Sequence, residues 1–520
     1  MQSTELLSKL FEQQVAKFSG NVALMHGAEQ ITYGVLNARA NQLGRYLRRR
    51  GVAPERRVIV CVERCFDSVA LLLGIAKAGG AYVPVEPTFP PARMADILAG
   101  ARASLLVTLR SQPELAAFHG EVVVVEENEE QIRREPSSNF DADVDLDNVF
   151  AVLFTSGTTG KPKGILMRTG GVVNLITGMG IQFPFQKGDT FLLHRSFTIV
   201  GSIWEYFGPL LAGARSTILS GDDSRDPAVI WKRMIEQRVT HIIVSPPLAD
   251  ALIRHGERYG LESHSLRFGI IGGEPVGART IAGWQRRFPA GKLYVCYGIT
   301  ESMYVAFFDT SHFDPADEIA PVGRPFMRAT VRILNETMEN AGEGEFGEIC
   351  VASPCISRGY LDTPHLTADR FVPDAEPTSA GSRLYRTGDL GRWRPDGVLE
   401  LKGRSDRQVK IRGFRVELDE VESVVRREAG VKRVVALAHA GVDGRQRLVA
   451  YLETSTAVDA EELRRRLRAV VPDYMIPALL LPMPSLPVNV GGKLDRQALE
   501  RAAEIAETRT LPESCRKIIS

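Results

Sequence analysis

The stretch most loaded with chemistry is Phe154-Thr155-Ser156-Gly157-Thr158-Thr159-Gly160-Lys161-Pro162-Lys163-Gly164, directly after the apolar run 150–154. Hydroxyls, backbone amides freed by glycine and two lysines in one short loop are what a polyphosphate clamp requires. The Walker pattern does not fit. Lys161 follows Gly160, but position 155 is Thr rather than Gly, and Pro162 replaces the Ser or Thr that would hold magnesium. A Gly/Ser/Thr-rich surface loop is the plain alternative.

Composition narrows what such a loop serves. The 64 Lys+Arg and 63 Asp+Glu leave a net charge of +1, so no bulk field draws the chain to nucleic acid. With 44% hydrophobic and 24% charged residues over 520 positions, the chain can bury a large core spread over several domains. A small binding module and a disordered chain are both excluded. No run of roughly 18 apolar residues occurs, and the amino end reads as an amphipathic helix rather than a signal peptide, so no membrane partner is expected and the expected location is the cytoplasm. Cys61, Cys65, Cys296, Cys350, Cys355 and Cys515 lack zinc-ligand spacing and read as reduced thiols.

The elements that must position the loop follow from hydrophobic periodicity. Short β-branched runs at 58–62, 105–108, 122–125, 150–154, 242–244 and 268–271 alternate with amphipathic helical stretches, which predicts α/β layers with partly parallel sheets. A more antiparallel texture follows at 344–351 and 384–401. From residue 406 onward the pattern becomes a small α+β domain of about a hundred residues. The expected organisation is a large domain 1–405, a small domain 406–500 and a tail or linker 501–520.

The loop closely resembles the phosphate loop of adenylate-forming enzymes, the superfamily of acyl-CoA synthetases, luciferases and peptide-synthetase adenylation domains. Further matches occur in that family's order, from Ile31-Thr32-Tyr33 to Gly492-Lys493-Leu494-Asp495-Arg496. The segments Lys77-Ala78-Gly79-Gly80-Ala81-Tyr82-Val83-Pro84-Val85-Glu86-Pro87 and Val471-Pro472-Asp473-Tyr474-Met475-Ile476-Pro477 resemble the peptide-synthetase branch. The resemblance implies a layered α/β core with a distorted β-barrel region and a small mobile C-terminal domain.

It also implies roles. ATP and Mg2+ would be bound, with Thr155, Ser156, Gly157, Thr158, Thr159, Gly160 and Lys161 on the phosphates. Tyr297 and Gly298 would lie against adenine, Thr300 near the α-phosphate, and the Glu301 carboxylate on magnesium. A buried strand end with a satisfied glutamate is the alternative there. Gly273 and Glu274 would let backbone approach the base, although their segment equally suits a tight turn. Asp389 would accept the ribose hydroxyls and Arg404 would supply a cation for ribose or phosphate. Asp406 would be the hinge, and Gly413 would line the thiol tunnel. Lys493 would pair with the substrate carboxylate and the nucleotide as the carboxylate attacks the α-phosphorus. Where the family usually has Asn-Gly-Lys this chain has Gly491-Gly492-Lys493, and a solvated loop lysine is the other reading.

For the acid, peptide-synthetase relatives place an Asp on the substrate's α-ammonium. Here Ser196-Phe197-Thr198-Ile199-Val200-Gly201-Ser202-Ile203-Trp204-Glu205 puts Val200 at that position. Burying an unpartnered ammonium costs several kcal/mol, which disfavours α-amino acids unless a neighbouring strand supplies a carboxylate. The remaining pocket positions carry over as Gly201, Trp204, Val244, Ile270, Gly272, Cys296, Tyr304 and Val305. This lining reads as apolar, with space above Gly201 and Gly272 and only Tyr304 and Cys296 offering weak polarity, and suits an aryl or other non-amino acid first and a β-amino acid second. The expected partner is a phosphopantetheinyl carrier protein or domain, because no Gly-Gly-x-Ser segment is present to hold the thiol; a small activator protein is a further expected partner. An acyl-CoA ligase and a silent docking scaffold are the competing readings, and an excised part of a multidomain synthetase is the expected context.

Overall fold

The computed structural model describes residues 5–157, 161–377, 382–441, 446–454, 458–487 and 494–510. The chain divides into two compact units. The first comprises Met1–Thr88, Ile97–Thr155 and Lys163–Asp406; the second comprises Phe89–Asp96, Ser156–Pro162 and Arg407–Ser520. The main division thus falls between Asp406 and Arg407, and two short segments from the amino-terminal part group with the second unit.

In the first unit the β-branched runs become buried parallel strands. A six-stranded sheet runs in the order Glu121–Val124, Leu105–Thr108, Arg57–Cys61, Ala81–Val85, Val149–Thr155, Lys163–Arg168. Its last pair is antiparallel, with Thr155 opposite Lys163, so the strands on either side of the phosphate-loop segment are fixed in register. The helix Phe66–Ala78 is apolar on nearly all sides, as a helix packed between layers must be, and ends at Gly79 with φ +83.

A nine-stranded sheet has the order Arg324–Pro325, Met303–Asp309, Lys292–Ile299, Phe268–Gly272, His241–Val244, Thr190–Leu193, Arg215–Ile218, Val22–His26, Glu29–Thr32. Its central strands are parallel, and Lys292–Ile299 then reverses into Met303–Asp309 through the three-residue turn 300–302, with Met303 at φ +60. Alternation of side chains along these strands separates two apolar clusters, one on each face. The segment 330–404, which holds the stretches 344–351 and 384–401 of expected antiparallel texture, forms a five-stranded antiparallel sheet of Thr330–Leu334, Gly347–Ala352, Arg383–Trp393, Phe371–Pro373 and Leu399–Arg404.

In the second unit, Gln408–Ile411 and Phe414–Glu417 form a hairpin, and Val431–Ala440, Gln446–Thr454 and Leu479–Met483 form a three-stranded sheet. The hairpin turn is Arg412-Gly413, both with positive φ (+53 and +81), the geometry whose twist suits a two-residue connection. Helix Leu418–Arg426 packs its apolar stripe on the same core as Ala460–Arg468. A further helix, Arg496–Thr510, runs across the expected boundary at residue 500.

Candidate active site

In the first unit, four sequence-predicted residues meet. Asp389 lies on Arg383–Trp393 directly opposite Arg404 on Leu399–Arg404, a cross-strand pair of the five-stranded sheet. The Asp389 carboxylate accepts the Tyr297 hydroxyl at 2.6 Å through Oδ2 and the Arg404 guanidinium through Oδ1. Arg404 also donates to both oxygens of Asp406, at 2.7 and 2.9 Å, and to the Thr387 carbonyl at 3.0 Å. The backbone must come close for this: Gly388 has φ +74, and a Cβ there would lie 2.7 Å from Asp406 Oδ2 and 2.8 Å from Arg404 Nη2. Asp389 is therefore aimed by a tyrosine and a guanidinium fork, and its oxygens retain lone pairs for further donors. Burial, then the neighbouring Asp389 charge, raises the Tyr297 pKa well above its ordinary value, so the phenol keeps its proton.

Glu301 sits in the turn between Lys292–Ile299 and Met303–Asp309 and is fully buried. Its Oε1 accepts the Tyr360 hydroxyl at 2.7 Å, and that hydroxyl lies 3.1 Å from the Tyr385 hydroxyl. The Lys163 ammonium stands 4.9 Å from the Tyr360 ring centroid, within cation–π range. Tyr360 and Lys163 thus join the site beside Glu301. Tyr360 carries no sequence signal, because it lies 59 positions from Glu301 and meets it only through the fold. Among the described residues no group of three or more His, Cys, Asp or Glu side chains could hold a metal. One buried carboxylate is a donor set that fits Mg2+, which takes one or two carboxylates together with phosphate oxygens and water.

Thr300 opens the same turn. Gly298 marks a register shift opposite Tyr304, where a Cβ would come within 2.6 Å of the Met303 carbonyl. Gly273 adopts φ +95 at the end of Phe268–Gly272, with Glu274 in the bend that follows. Thr155 ends its strand with a buried hydroxyl that has no hydrogen-bond partner. In the second unit, Ser156 donates to the Arg415 carbonyl at 2.7 Å and the Gly157 amide donates to Glu420 at 3.2 Å. Lys161 is exposed. Thr158, Thr159, Gly160 and Lys493 lie outside the described residues.

The acid-pocket positions gather at the carboxyl ends of the parallel strands, where open α/β sheets bind ligands. Trp204, Ile270, Tyr304 and Val305 share the first apolar cluster, with Val200 and Cys296 packed against it. Val244 is not brought to them. It pairs with Ile271, and both belong to the cluster on the opposite face, so its neighbour Ile243 is the residue that shares the face of Ile270.

The space expected above two glycines is taken. A Cβ at Gly272 would meet the Cys296 carbonyl and thiol, both at 2.4 Å. Cross-strand pairing of Gly272 with Cys296 brings these atoms in, so this glycine allows a close approach rather than opening a cavity. A Cβ at Gly201 would meet Arg195 Nη1 at 2.6 Å and the Tyr304 hydroxyl at 2.9 Å. The lining is accordingly not apolar throughout, because a guanidinium enters it.

Arg195 was missed by the motif reading. Its signal was a charged residue two positions after the apolar strand Thr190–Leu193, ahead of the pocket segment. Its Nε lies 3.6 Å from Oε1 of the fully buried Glu205, whose Oε2 accepts the backbone amides of His194 at 3.4 Å and Arg195 at 3.2 Å. Burial raises the Glu205 carboxyl to about 7 against the opposing pull of Arg195. His194 contacts the Ile243 carbonyl at 2.7 Å through Nε2, and burial lowers its pKa to about 4, so it is neutral at pH 7.

The sequence model of the family described as AMP-binding enzyme matches residues 11–361. Tyrocidine synthase 3 of Brevibacillus parabrevis is 36% identical over 498 residues, covering 95% of this chain and 8% of that protein. Gramicidin S synthase 2 of Aneurinibacillus migulanus is 33% identical over 495 residues, covering 95% of this chain and 11% of that protein. The chain spans about a tenth of the length of these relatives. Among solved structures, an artificially fused adenylation-PCP di-domain from Klebsiella oxytoca superposes with TM-score 0.81 at 23% identity, covering 98% of each chain. The amide bond synthetase McbA from Marinactinospora thermotolerans superposes with TM-score 0.85 at 23% identity, covering 96% of this chain and 99% of that one. At these identities the two structures share the fold.

Proposed function

We propose that this chain, which belongs to the AMP-binding enzyme family and is an adenylate-forming ligase, activates a carboxylic acid lacking an α-ammonium group and passes the acyl group to a carrier thiol. ATP and the acid would give acyl-AMP and pyrophosphate: an acid oxygen bonds to the α-phosphorus as the bond to pyrophosphate breaks. The phosphopantetheine thiolate of a carrier protein would then bond to the acyl carbon, releasing AMP. Relatives named as tyrocidine and gramicidin S synthases, and a fold neighbour that is an adenylation-PCP fusion, support the carrier as partner.

The chain's own groups divide the work. Asp389, aimed by Tyr297 and Arg404, fixes the ribose hydroxyls, while the phosphate-loop residues from Thr155 to Lys161 hold the polyphosphate. Glu301 would hold Mg2+, which supplies charge neutralisation for the departing pyrophosphate. Lys493 steadies the carboxylate and the α-phosphate as they react. Asp406 serves as the hinge and Gly413 lines the thiol path in this reading.

The observation that carries the substrate class is the Arg195 guanidinium over Gly201. A substrate ammonium nearby would face a like charge, with Val200 rather than a carboxylate at the usual recognition position. The test is ATP–pyrophosphate exchange with α-amino, β-amino, aryl and α-keto or α-hydroxy acids. Exchange is expected with acids lacking the α-amino group. Exchange confined to α-amino acids refutes the substrate reading, and exchange with none refutes acid activation.

A further inference from the structure

We infer that Arg195 sets substrate specificity by receiving a second carboxylate, carried on the acid away from the carboxyl that is adenylated. This rests on the acid activation proposed above and narrows its substrate class to diacids.

Four observations converge. First, Arg195 reaches the pocket from the end of a central parallel strand, and its backbone amide is anchored on Glu205 at 3.2 Å. Second, its terminal nitrogens face the pocket: a Cβ at Gly201 would lie 2.6 Å from Nη1 and 3.1 Å from Nη2. The Nη1/Nη2 edge is the fork that matches a carboxylate bidentately.

Third, the counter-charge is on the other edge. The Glu205 contact is made through Nε at 3.6 Å, longer than a hydrogen bond, while Glu205 spends its other oxygen on two backbone amides. The Nη edge is thus turned away from Glu205 and towards the Tyr304 hydroxyl and Gly201. Fourth, the Tyr304 hydroxyl reaches the same spot, 2.9 Å from that Cβ and beside the Arg195 guanidinium, and the residue is only 7% exposed, so its proton stays available to a bound ligand. A buried guanidinium and hydroxyl side by side present donors but no acceptor to whatever lies against them. A carboxylate placed against the Nη1/Nη2 edge, on its side away from Gly201, would accept two bonds from Arg195 with the Tyr304 hydroxyl beside it as a third donor.

The Arg195 side chain is 23% exposed, so it remains reachable. An uncharged aryl or alkyl group at the same place would desolvate the guanidinium without offering it an acceptor. The pocket therefore discriminates by charge at its far end as well as by the missing ammonium partner at Val200.

The test is ATP–pyrophosphate exchange with acid pairs of equal length that differ only in a distal carboxylate: pentanoate and glutarate, hexanoate and adipate, 4-methylbenzoate and terephthalate. The wild-type protein should favour the diacid of at least one pair by about 10- to 100-fold in kcat/KM, the worth of a bidentate charge-assisted contact. Arg195→Gln should bring that ratio towards one, chiefly through the KM of the diacid. Gly201→Ala, which keeps the charge but pushes the guanidinium aside, should do the same, and Arg195→Lys should fall between. Monoacids used as well as their diacids by the wild-type protein would overturn the inference and leave acid activation standing. A diacid preference unchanged in both Arg195→Gln and Gly201→Ala would overturn it as well. Exchange with no acid would instead overturn acid activation itself.

Discussion

Arg404→Met tests whether the Asp389 cluster is a buried, pre-aimed device. Methionine keeps the apolar stem but removes the fork that donates to Asp389, to both Asp406 oxygens at 2.7 and 2.9 Å, and to the Thr387 carbonyl at 3.0 Å. The three losses are unequal. Asp406 is 26% exposed and water can replace the arginine, so its share is at most about 1 kcal/mol. The Thr387 carbonyl contributes about 1 kcal/mol as a single bond. Asp389 is 8% exposed and keeps only Tyr297 among these partners, so stranding its charge costs about 3 kcal/mol, the low end for a broken buried pair. The expected loss is about 4–5 kcal/mol. All four tryptophans, Trp204, Trp231, Trp284 and Trp393, belong to the first unit, so urea unfolding followed by tryptophan fluorescence reads the unit that holds the cluster. The loss should change little with added salt, because buried pairs are weakly screened. A double-mutant cycle with Asp389→Asn should return a coupling of at least about 1.5 kcal/mol. A loss below about 1 kcal/mol, or no coupling, would mean that water already reaches Asp389 and would refute the argument. The same variant should raise KM for ATP, because the carboxylate is no longer aimed.

Lys493→Ala should abolish ATP–pyrophosphate exchange while sparing thioester formation from supplied acyl-AMP; equal loss of both steps would contradict its assignment to the first step alone. Gly272→Ala drives a Cβ to within 2.4 Å of a backbone carbonyl and should cost about 1–3 kcal/mol in urea unfolding. Unchanged stability there would show that the strands separate at no penalty. Glu205 has its carboxyl raised from 4.5 to about 7. The native state then binds the proton that the unfolded state releases, so stability falls as pH rises from about 4.5 to 7, by roughly 3 kcal/mol. Glu205→Gln should flatten that slope in urea titrations at several pH values, and an identical slope would place the titration elsewhere. Gly413→Ala, at φ +81, should cost about 1 kcal/mol, measured by hydrogen exchange across the Gln408–Ile411 hairpin, while Gly413→Asn is better tolerated.

Local chemistry was written plainly in the chain. β-Branched runs such as 58–62 specify buried strands because their stiff side chains fit a pleated surface, and the strand Arg57–Cys61 forms there. Thr300 and Glu301 could be read as a functional turn, and Asp389 and Arg404 as ligands of a sugar, because those residue types sit in motifs of fixed order. What one dimension does not hold is which side chains meet across strands and layers. Asp389 opposite Arg404, Tyr360 on Glu301 and Gly272 against Cys296 depend on sheet register, where a shift of one residue sends every side chain to the other face. That same period of two takes Val244 away from Ile270. Arg195 is the clearest case. In sequence it is one cation beside an apolar run; only the packing of Glu205 on its Nε side turns its Nη edge towards Gly201 and the Tyr304 hydroxyl, because burial fixes where a charge can point. Family and motif order were legible in the residues, whereas the meeting of Arg195 with Gly201 and Tyr304 depends on register and packing, which bring distant positions together.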